Sequence, residues 1–156
     1  SDYIMVFDCD DELTGISNHF DFTGFGRVVA IPSATYDKLN FYGNRPTSAF
    51  ALVRKNTIPH SGTIMKRQMI VDIGGYNENM NNCQDLELWL RIIAIYGLTA
   101  FTMSNVRVLI HEDSENRISN LVKHKIGLVG AINESLRFFP FYKRITLYVL
   151  KLWYQL

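Results

Sequence analysis

The sequence predicts an α/β fold, with a mixed sheet flanked by helices and a helical tail after it. Residues 3–7 form a continuous apolar run, which is typical of a strand covered on both faces. Further strand candidates then alternate with helical patterns up to about residue 118. From Ser119 onward the pattern is helical alone. We therefore assign residues 1–118 to one functional part and residues 119–156 to C-terminal helices.

The first third of the chain predicts short strands joined by a long loop. Residues 27–31 are rich in strand-forming side chains, and Pro32 should end this strand. Residues 33–48 are polar and contain glycine and proline, so we expect a surface loop. Residues 50–53 then fit a strand at the sheet edge.

Two helices are expected in the middle of the chain. Residues 66–73 should form the first, ended by Gly74, which can adopt the left-handed conformation of a helix cap. Residues 85–96 should form the second, with Asp85 as N-cap and Gly97 just past the end. Apolar residues surround the second helix, so it should be buried on most sides.

The remaining elements are two strands and two helices. Residues 99–103 and 106–110 are strand candidates, and residues 119–136 predict a helix. One stripe of that helix should face the core: Val122, Ile126, Val129 and Leu136. Pro140 separates it from a last helix that begins near Phe141.

Composition excludes several classes of protein. The net charge of +1 gives no field that would attract nucleic acid. Two cysteines are too few for a disulfide scaffold and indicate a reducing compartment. The chain has no run of about 20 apolar residues, the length needed to cross a bilayer. We expect a cytoplasmic location, at the inner face of the membrane if the tail binds lipid.

The acidic cluster Asp8-Cys9-Asp10-Asp11 follows the first strand directly. Clustered carboxylates repel one another unless a cation compensates them, and ligands bind at this edge of α/β sheets. Oxygen ligands suit Mg²⁺ or Mn²⁺. The alternative is a solvated turn in which one aspartate caps a helix, and the cluster alone leaves both open.

Four features follow one another along the chain. They are an apolar strand ending in Asp-x-Asp-Asp, a small-residue stretch with a basic helix closed by Gly-Gly-aromatic, an acidic Leu-Trp-x-Arg helix, and a strand ending in histidine. In this chain they read Val6-Phe7-Asp8-Cys9-Asp10-Asp11, then Ser61-Gly62-Thr63 with Lys66-Arg67 and Gly74-Gly75-Tyr76, then Asp85-Leu86-Glu87-Leu88-Trp89-Leu90-Arg91, then Ile110-His111. In this order they resemble the inverting family-two glycosyltransferases of the GT-A fold, which implies a partial GT-A (Rossmann-like) sheet.

The resemblance also implies roles for individual residues. Asp10 and His111 would bind the metal, and Asp8 and Asp11 would support the metal shell or the donor ribose. Imidazole slightly favours Mn²⁺ over Mg²⁺. Asp85 would be the general base that accepts the acceptor's hydroxyl proton. The alternatives are that Asp85 is only a helix cap and His111 only a polar residue at a strand end.

The implied reaction transfers a sugar from a nucleotide-sugar donor, with a UDP-sugar favoured, to a glycan or lipid-linked acceptor in cell-surface or capsular polysaccharide or glycolipid synthesis. A non-catalytic glycosyltransferase-like binding module and a metal-dependent nucleotidyltransferase are the competing interpretations. The family's nucleotide-binding units precede the acidic strand, so we expect this chain to be an incomplete, inactive fragment, which could form a homo-oligomer. Gln84 and Asn77 stand where the family usually has acids.

The tail combines aromatic and basic side chains. After Glu134 there is no acidic residue, and four basic residues follow: Arg137, Lys143, Arg144 and Lys151. Such a helix suits a membrane–water interface. Equally, Leu147, Leu150 and Tyr154 could pack on the domain and leave the basic residues in solvent.

Overall fold

The chain is a mixed α/β protein in the computed structural model, which describes residues 3–6, 12–16, 28–34, 45–109 and 121–155. Its elements in order are β1 (Tyr3–Met5), β2 (Glu12–Ile16), β3 (Val28–Ala34), β4 (Arg45–Thr47), α1 (Ala49–Arg54), β5 (Ile64–Lys66), α2 (Arg67–Asp72), α3 (Gln84–Tyr96), β6 (Leu98–Leu109), α4 (Leu121–Leu136) and α5 (Phe141–Gln155).

The chain divides into two compact units. The sheet unit comprises Ser1–Pro46, Ile58–Val71 and Leu98–Glu115, and the helical unit comprises Thr47–Thr57, Asp72–Gly97 and Asn116–Leu156. The predicted functional division between residues 118 and 119 lies outside the described residues and stays a prediction.

The sheet unit contains a six-stranded mixed sheet. Its strand order is β1-β5-β3-β6-β2, and β4 pairs with β6. β3 and β6 are parallel, whereas β1 with β5, β3 with β5, and β2 with β6 are antiparallel. The prediction of a mixed sheet is therefore confirmed.

The sheet corrects two predicted strand boundaries. β3 continues through Pro32 to Ala34, although Pro32 was expected to end it. β6 is one strand of 12 residues where two were predicted. The two strands pair irregularly at Pro32. Between Pro32 and Ser33 of β3, the paired residue on β6 changes from Met103 to Arg107. A proline has no N–H for the ladder, and a local interruption of pairing accommodates it.

The segment expected to be an edge strand is the helix α1. The Ser48 side chain accepts a hydrogen bond from the Ala51 N–H at 3.1 Å, which caps the helix. Ala49, Leu52 and Val53 are buried, and this i, i+3, i+4 spacing is that of a helix face. The N-cap and the helical spacing of the buried residues together explain why this segment is a helix and not the predicted strand.

The helix α3 begins one residue earlier than predicted. Its N-cap is Cys83, with φ 56° and no side-chain capping bond, so the assignment of Asp85 as N-cap was wrong. The predicted end is confirmed, since the Gly97 N–H donates to the Ile93 carbonyl at 3.1 Å. Every residue from Leu86 to Ile92 is buried, as expected for a helix covered on most sides.

The two C-terminal helices are confirmed, but the predicted core stripe of α4 is wrong in its first half. Val122 and Ile126 are each 64% exposed, whereas Val129 and Leu136 are half-buried. The buried residues lie on the other side of the helix: Gly127, Leu128, Ala131, Ile132 and Ser135. α4 packs against α3 and α5. On the buried side, Gly127 and Ala131 permit close packing and Leu128 and Ile132 fill the interface, whereas Val122 and Ile126 face solvent.

Two glycines on α4 give a matched test of this packing. A Cβ on Gly127 would lie 2.7 Å from Asn82 Cβ and 3.0 Å from Cys83 Sγ, so Gly127→Ala should cost about 1–3 kcal/mol by overpacking. A Cβ on Gly130 would meet only Met80 Cε at 3.7 Å, so Gly130→Ala should add about 0.5–1 kcal/mol of helix stability. Urea unfolding measures both changes. Shifts of the same sign would contradict the close approach at Gly127.

Candidate functional site

The predicted metal site lies outside the described residues. This applies to Asp8, Asp10, Asp11 and His111, so the metal site stays a prediction. Within the described part of the chain, no three His, Cys, Asp or Glu side chains are grouped closely enough to hold a metal ion.

In the sheet unit, Val6 contacts the small-residue stretch. Val6 directly follows β1; its N–H donates to the Thr63 carbonyl at 3.0 Å, and its carbonyl accepts from the Gly62 N–H at 2.8 Å. Ser61 and Thr63 are buried, and Thr63 Oγ1 donates to the Pro59 carbonyl at 2.5 Å. The small-residue stretch is therefore hydrogen-bonded to Val6, although the two are more than 50 positions apart in the chain.

In the helical unit, Arg91 joins the Gly-Gly turn to α3. Its guanidinium donates to the carbonyls of Ile73 and Gly75, each at 2.7 Å, and to Glu87 Oε2 at 2.7 Å. Its Nε also lies 2.7 Å from Glu87 Oε1. Glu87 is 0% and Arg91 5% exposed, so the pair is a buried ion pair rather than the weak i, i+4 pair that helical spacing alone indicates. Through Arg91, this ion pair holds the Gly-Gly turn against α3, the helix that carries Asp85.

The Gly-Gly turn and the segment after it are ordered by local bonds. Gly74 and Gly75 have φ of 84° and 71°, which confirms the left-handed conformation expected of Gly74. Asn77 Oδ1 accepts from the Asn79 N–H at 3.1 Å, and Gln84 Nε2 donates to the Met80 carbonyl at 2.8 Å. A glutamate at position 84 could not donate that bond. The amide therefore has a structural role where the family usually carries an acid.

Asp85 is the second residue of α3 and is partly exposed. Asn56 Nδ2 donates to its Oδ2 at 2.8 Å, and within the described ranges no other donor contacts this carboxylate. Asn56 thus holds one carboxylate oxygen and leaves Oδ1 available to accept a proton. This contact joins residues 29 positions apart, and nothing in the local sequence indicates it.

Cys83 and His124 lie beside the start of α3. Cys83 Sγ is 3.9 Å from His124 Nδ1. Burial, and secondarily the charge of Asp85, raise the pKa of the Cys83 thiol to about 11. Cys83 is therefore protonated near neutral pH and is not a nucleophile there. No local sequence pattern places His124, an isolated histidine on α4, next to Cys83.

A cavity of about 430 Å³ opens within the helical unit. Its apolar lining comes from Leu52, Val53, Leu86 and Leu128, all buried, and Tyr154 closes one side by donating to the Val53 carbonyl at 3.2 Å. The polar lining residues are Arg54, Lys55, Asn56, His124 and Lys125, with no carboxylate among them. Asn56 connects this cavity to Asp85. The arrangement places one carboxylate near a cavity whose charged lining residues, Arg54, Lys55 and Lys125, are all basic.

Sequence reasoning could not find this cavity, because its lining comes from four separate helices. Trp89 is 0% exposed, so it is a core residue of α3 rather than a platform on which a sugar could stack.

No protein-family model, curated protein or solved structure matches the chain.

Proposed function

We propose that this chain is the catalytic part of a metal-dependent inverting glycosyltransferase with a GT-A fold. It transfers a sugar from a nucleotide-diphosphate sugar to a hydroxyl acceptor. One observation carries the proposal. Of the four motifs that resemble the family, the second is hydrogen-bonded to the first and to the third. Gly62 and Thr63 bond to Val6, and Gly75 bonds to Arg91. Features that only share an order by chance would have no reason to be in contact.

The donor side of the reaction would be served by the acidic cluster. The set Asp8, Asp10, Asp11 and His111 offers carboxylate oxygens and one imidazole, a donor set that suits Mn²⁺ and, less well, Mg²⁺. A bound divalent cation supplies charge neutralisation for the diphosphate leaving group.

The acceptor side would be served by Asp85. Asn56 holds Oδ2, so Oδ1 keeps a fixed direction in which it can accept the proton of the acceptor hydroxyl. The buried Glu87–Arg91 pair fixes the helix that carries this carboxylate. The cavity beside Asn56 would receive the acceptor. Its three Lys and Arg residues favour an acceptor that carries a negative charge.

The test is a transfer assay with the complete natural protein that contains these residues. A panel of nucleotide sugars is supplied with Mn²⁺, Mg²⁺ or chelator. We expect metal-dependent release of nucleoside diphosphate and a product whose anomeric configuration is inverted by NMR. Asp10→Asn should lose most of this metal-dependent activity.

The same assay separates the competing functions. Release of pyrophosphate would identify a nucleotidyltransferase, and binding without turnover of any donor would identify a non-catalytic module. A product with retained configuration would contradict Asp85 as the base of a single displacement.

A further inference from the structure

Helix α5 presents a broad apolar face to solvent. Seven large side chains on it are between 45% and 77% exposed: Phe141, Tyr142, Ile145, Tyr148, Val149, Leu152 and Trp153. They extend over nearly the whole helix and include four aromatic rings. An apolar surface this large on one helix indicates an interaction site.

The opposite face of α5 is packed in the helical unit. Leu147 is 2% exposed, and the Tyr154 hydroxyl donates to the Val53 carbonyl. Arg144 donates to the carbonyls of Phe139 and Arg137, at 2.6 and 3.1 Å, which fixes the turn that precedes the helix. The sequence left two alternatives for the tail, packing on the domain or exposure at a membrane surface. Each of them describes one face of α5. Because α5 is held in place by these contacts, its exposed apolar face needs no folding step before it can bind a partner.

Positive charges border this face. Lys143 Nζ lies 6.0 Å from the centroid of the Tyr142 ring, and Lys151 Nζ lies 5.1 Å from that of Tyr148. Both rings belong to the exposed face. Residues 135–156 contain four Lys or Arg residues and no Asp or Glu. The surface thus combines inserted aromatic and aliphatic groups with a purely cationic border.

We propose that α5 binds flat on an anionic membrane surface. Its aromatic and aliphatic side chains would enter the headgroup region, and Lys143 and Lys151 would contact lipid phosphates. Because the other face of α5 is packed in the helical unit, this segment would lie in the interface with only its exposed face among the lipids. No helix in the described ranges is long and apolar enough to span a membrane.

The charge pattern favours lipid over a second copy of this chain. Pairing two α5 faces would bring the cationic borders of both helices together without any carboxylate from this segment to compensate them. Like charges in contact disfavour such pairing. Anionic headgroups supply the missing negative charge over the whole border. This proposal is independent of sugar transfer.

Tryptophan fluorescence reports on this face selectively. The chain has two tryptophans; Trp153 is 66% exposed on α5, whereas Trp89 is 0% exposed in α3. With the full chain at low salt, vesicles containing phosphatidylglycerol should shift the emission to the blue and sediment the protein. Phosphatidylcholine vesicles should do so weakly, and high salt should reduce binding to both. Trp153→Phe should lose the shift and still sediment.

Three double variants identify the contacts. Ile145→Ser with Leu152→Ser should weaken vesicle binding at least about tenfold. Lys143→Gln with Lys151→Gln should weaken binding to anionic vesicles about fivefold per cation. The control is Val122→Ser with Ile126→Ser, which removes two aliphatic groups of 64% exposure from α4 and should leave binding unchanged. Circular dichroism checks that each variant is folded.

The proposal fails if the full chain stays in the supernatant with anionic vesicles at low salt. It also fails if the α4 control loses as much binding as the α5 variants. Self-association in sedimentation velocity that is abolished by Ile145→Ser with Leu152→Ser, without vesicle binding, would assign the face to a second copy.

Discussion

Glu87→Ala is expected to destabilise the helical unit by about 3–5 kcal/mol, because it leaves a buried guanidinium without its carboxylate. Arg91 is 5% exposed and would keep only the carbonyls of Ile73 and Gly75 as acceptors. Neutral carbonyls do not compensate a full positive charge. A loss of this size is a large part of the stability of an ordinary domain. Urea unfolding followed by circular dichroism measures it.

A second set of variants separates charge from shape. Glu87→Gln keeps the packing and one acceptor oxygen, so it should cost less than Glu87→Ala. Glu87→Leu combined with Arg91→Met removes both charges and should recover much of the stability, as apolar replacements of buried pairs often do. It should still release the Gly-Gly turn, because the carbonyls of Ile73 and Gly75 lose their donor.

Hydrogen exchange tests that last consequence. In the double variant, amides around residues 73–77 should exchange faster, while those in the centre of α3 stay protected. A loss below about 1 kcal/mol in Glu87→Ala would show that the pair behaves like an exposed one.

Local signals in the sequence were sufficient for most helices and for the strands β1, β3 and β6, whereas β2, β4 and β5 were not predicted. Gly97 follows the end of α3 and Gly74 follows α2, both with positive φ. These helix ends were predictable because a glycine with positive φ after a helix is a signal contained in the local sequence. The continuous burial of α3 followed from apolar residues around the whole helix. By contrast, α1 was taken for a strand, since six residues are too short for periodicity to decide and only the Ser48 cap distinguished them.

The face of α4 was mispredicted for a tertiary reason. Val122 and Ile126 were expected to pack, but the packed side carries Leu128 and Ile132 together with the small Gly127 and Ala131. The small residues permit a close approach of helices, and the aliphatic residues beside them fill the interface. Periodicity identifies an amphipathic stripe and cannot tell which neighbour, if any, covers it.

The candidate site was predictable residue by residue but not as an arrangement. Asp85 was named from its position in a motif. Its contact with Asn56 and the lining of the neighbouring cavity depend on α1 with the residues that follow it, on α4 and on α5, which are distant from Asp85 in the chain. The burial of the Glu87–Arg91 pair was missed for the same reason, since helical spacing fixes the pairing and only the fold fixes the exposure.

Asp85→Asn should reduce transfer by about 10²–10⁴-fold in the complete natural protein and leave donor binding unchanged. Asparagine has nearly the same size, and its Oδ1 can still accept the hydrogen bond from Asn56. Since Cys83 rather than Asp85 is the N-cap, the substitution also leaves the helix start intact. What is lost is a group able to accept the acceptor's proton.

Cys83 provides an independent check that the variant has the expected local structure. The charge of Asp85 contributes to raising the pKa of Cys83 to about 11, so removing that charge should lower the pKa. Because only the thiolate is alkylated, iodoacetamide should then modify Cys83 faster at mildly alkaline pH. The wild-type chain and Asp85→Asn are both compared with Cys9→Ser added, so that Cys83 is the cysteine whose alkylation is measured. Near-normal turnover in Asp85→Asn would exclude it as the base, and an equal loss of donor affinity would assign it to binding. An unchanged alkylation rate would contradict the proximity of Asp85 to Cys83.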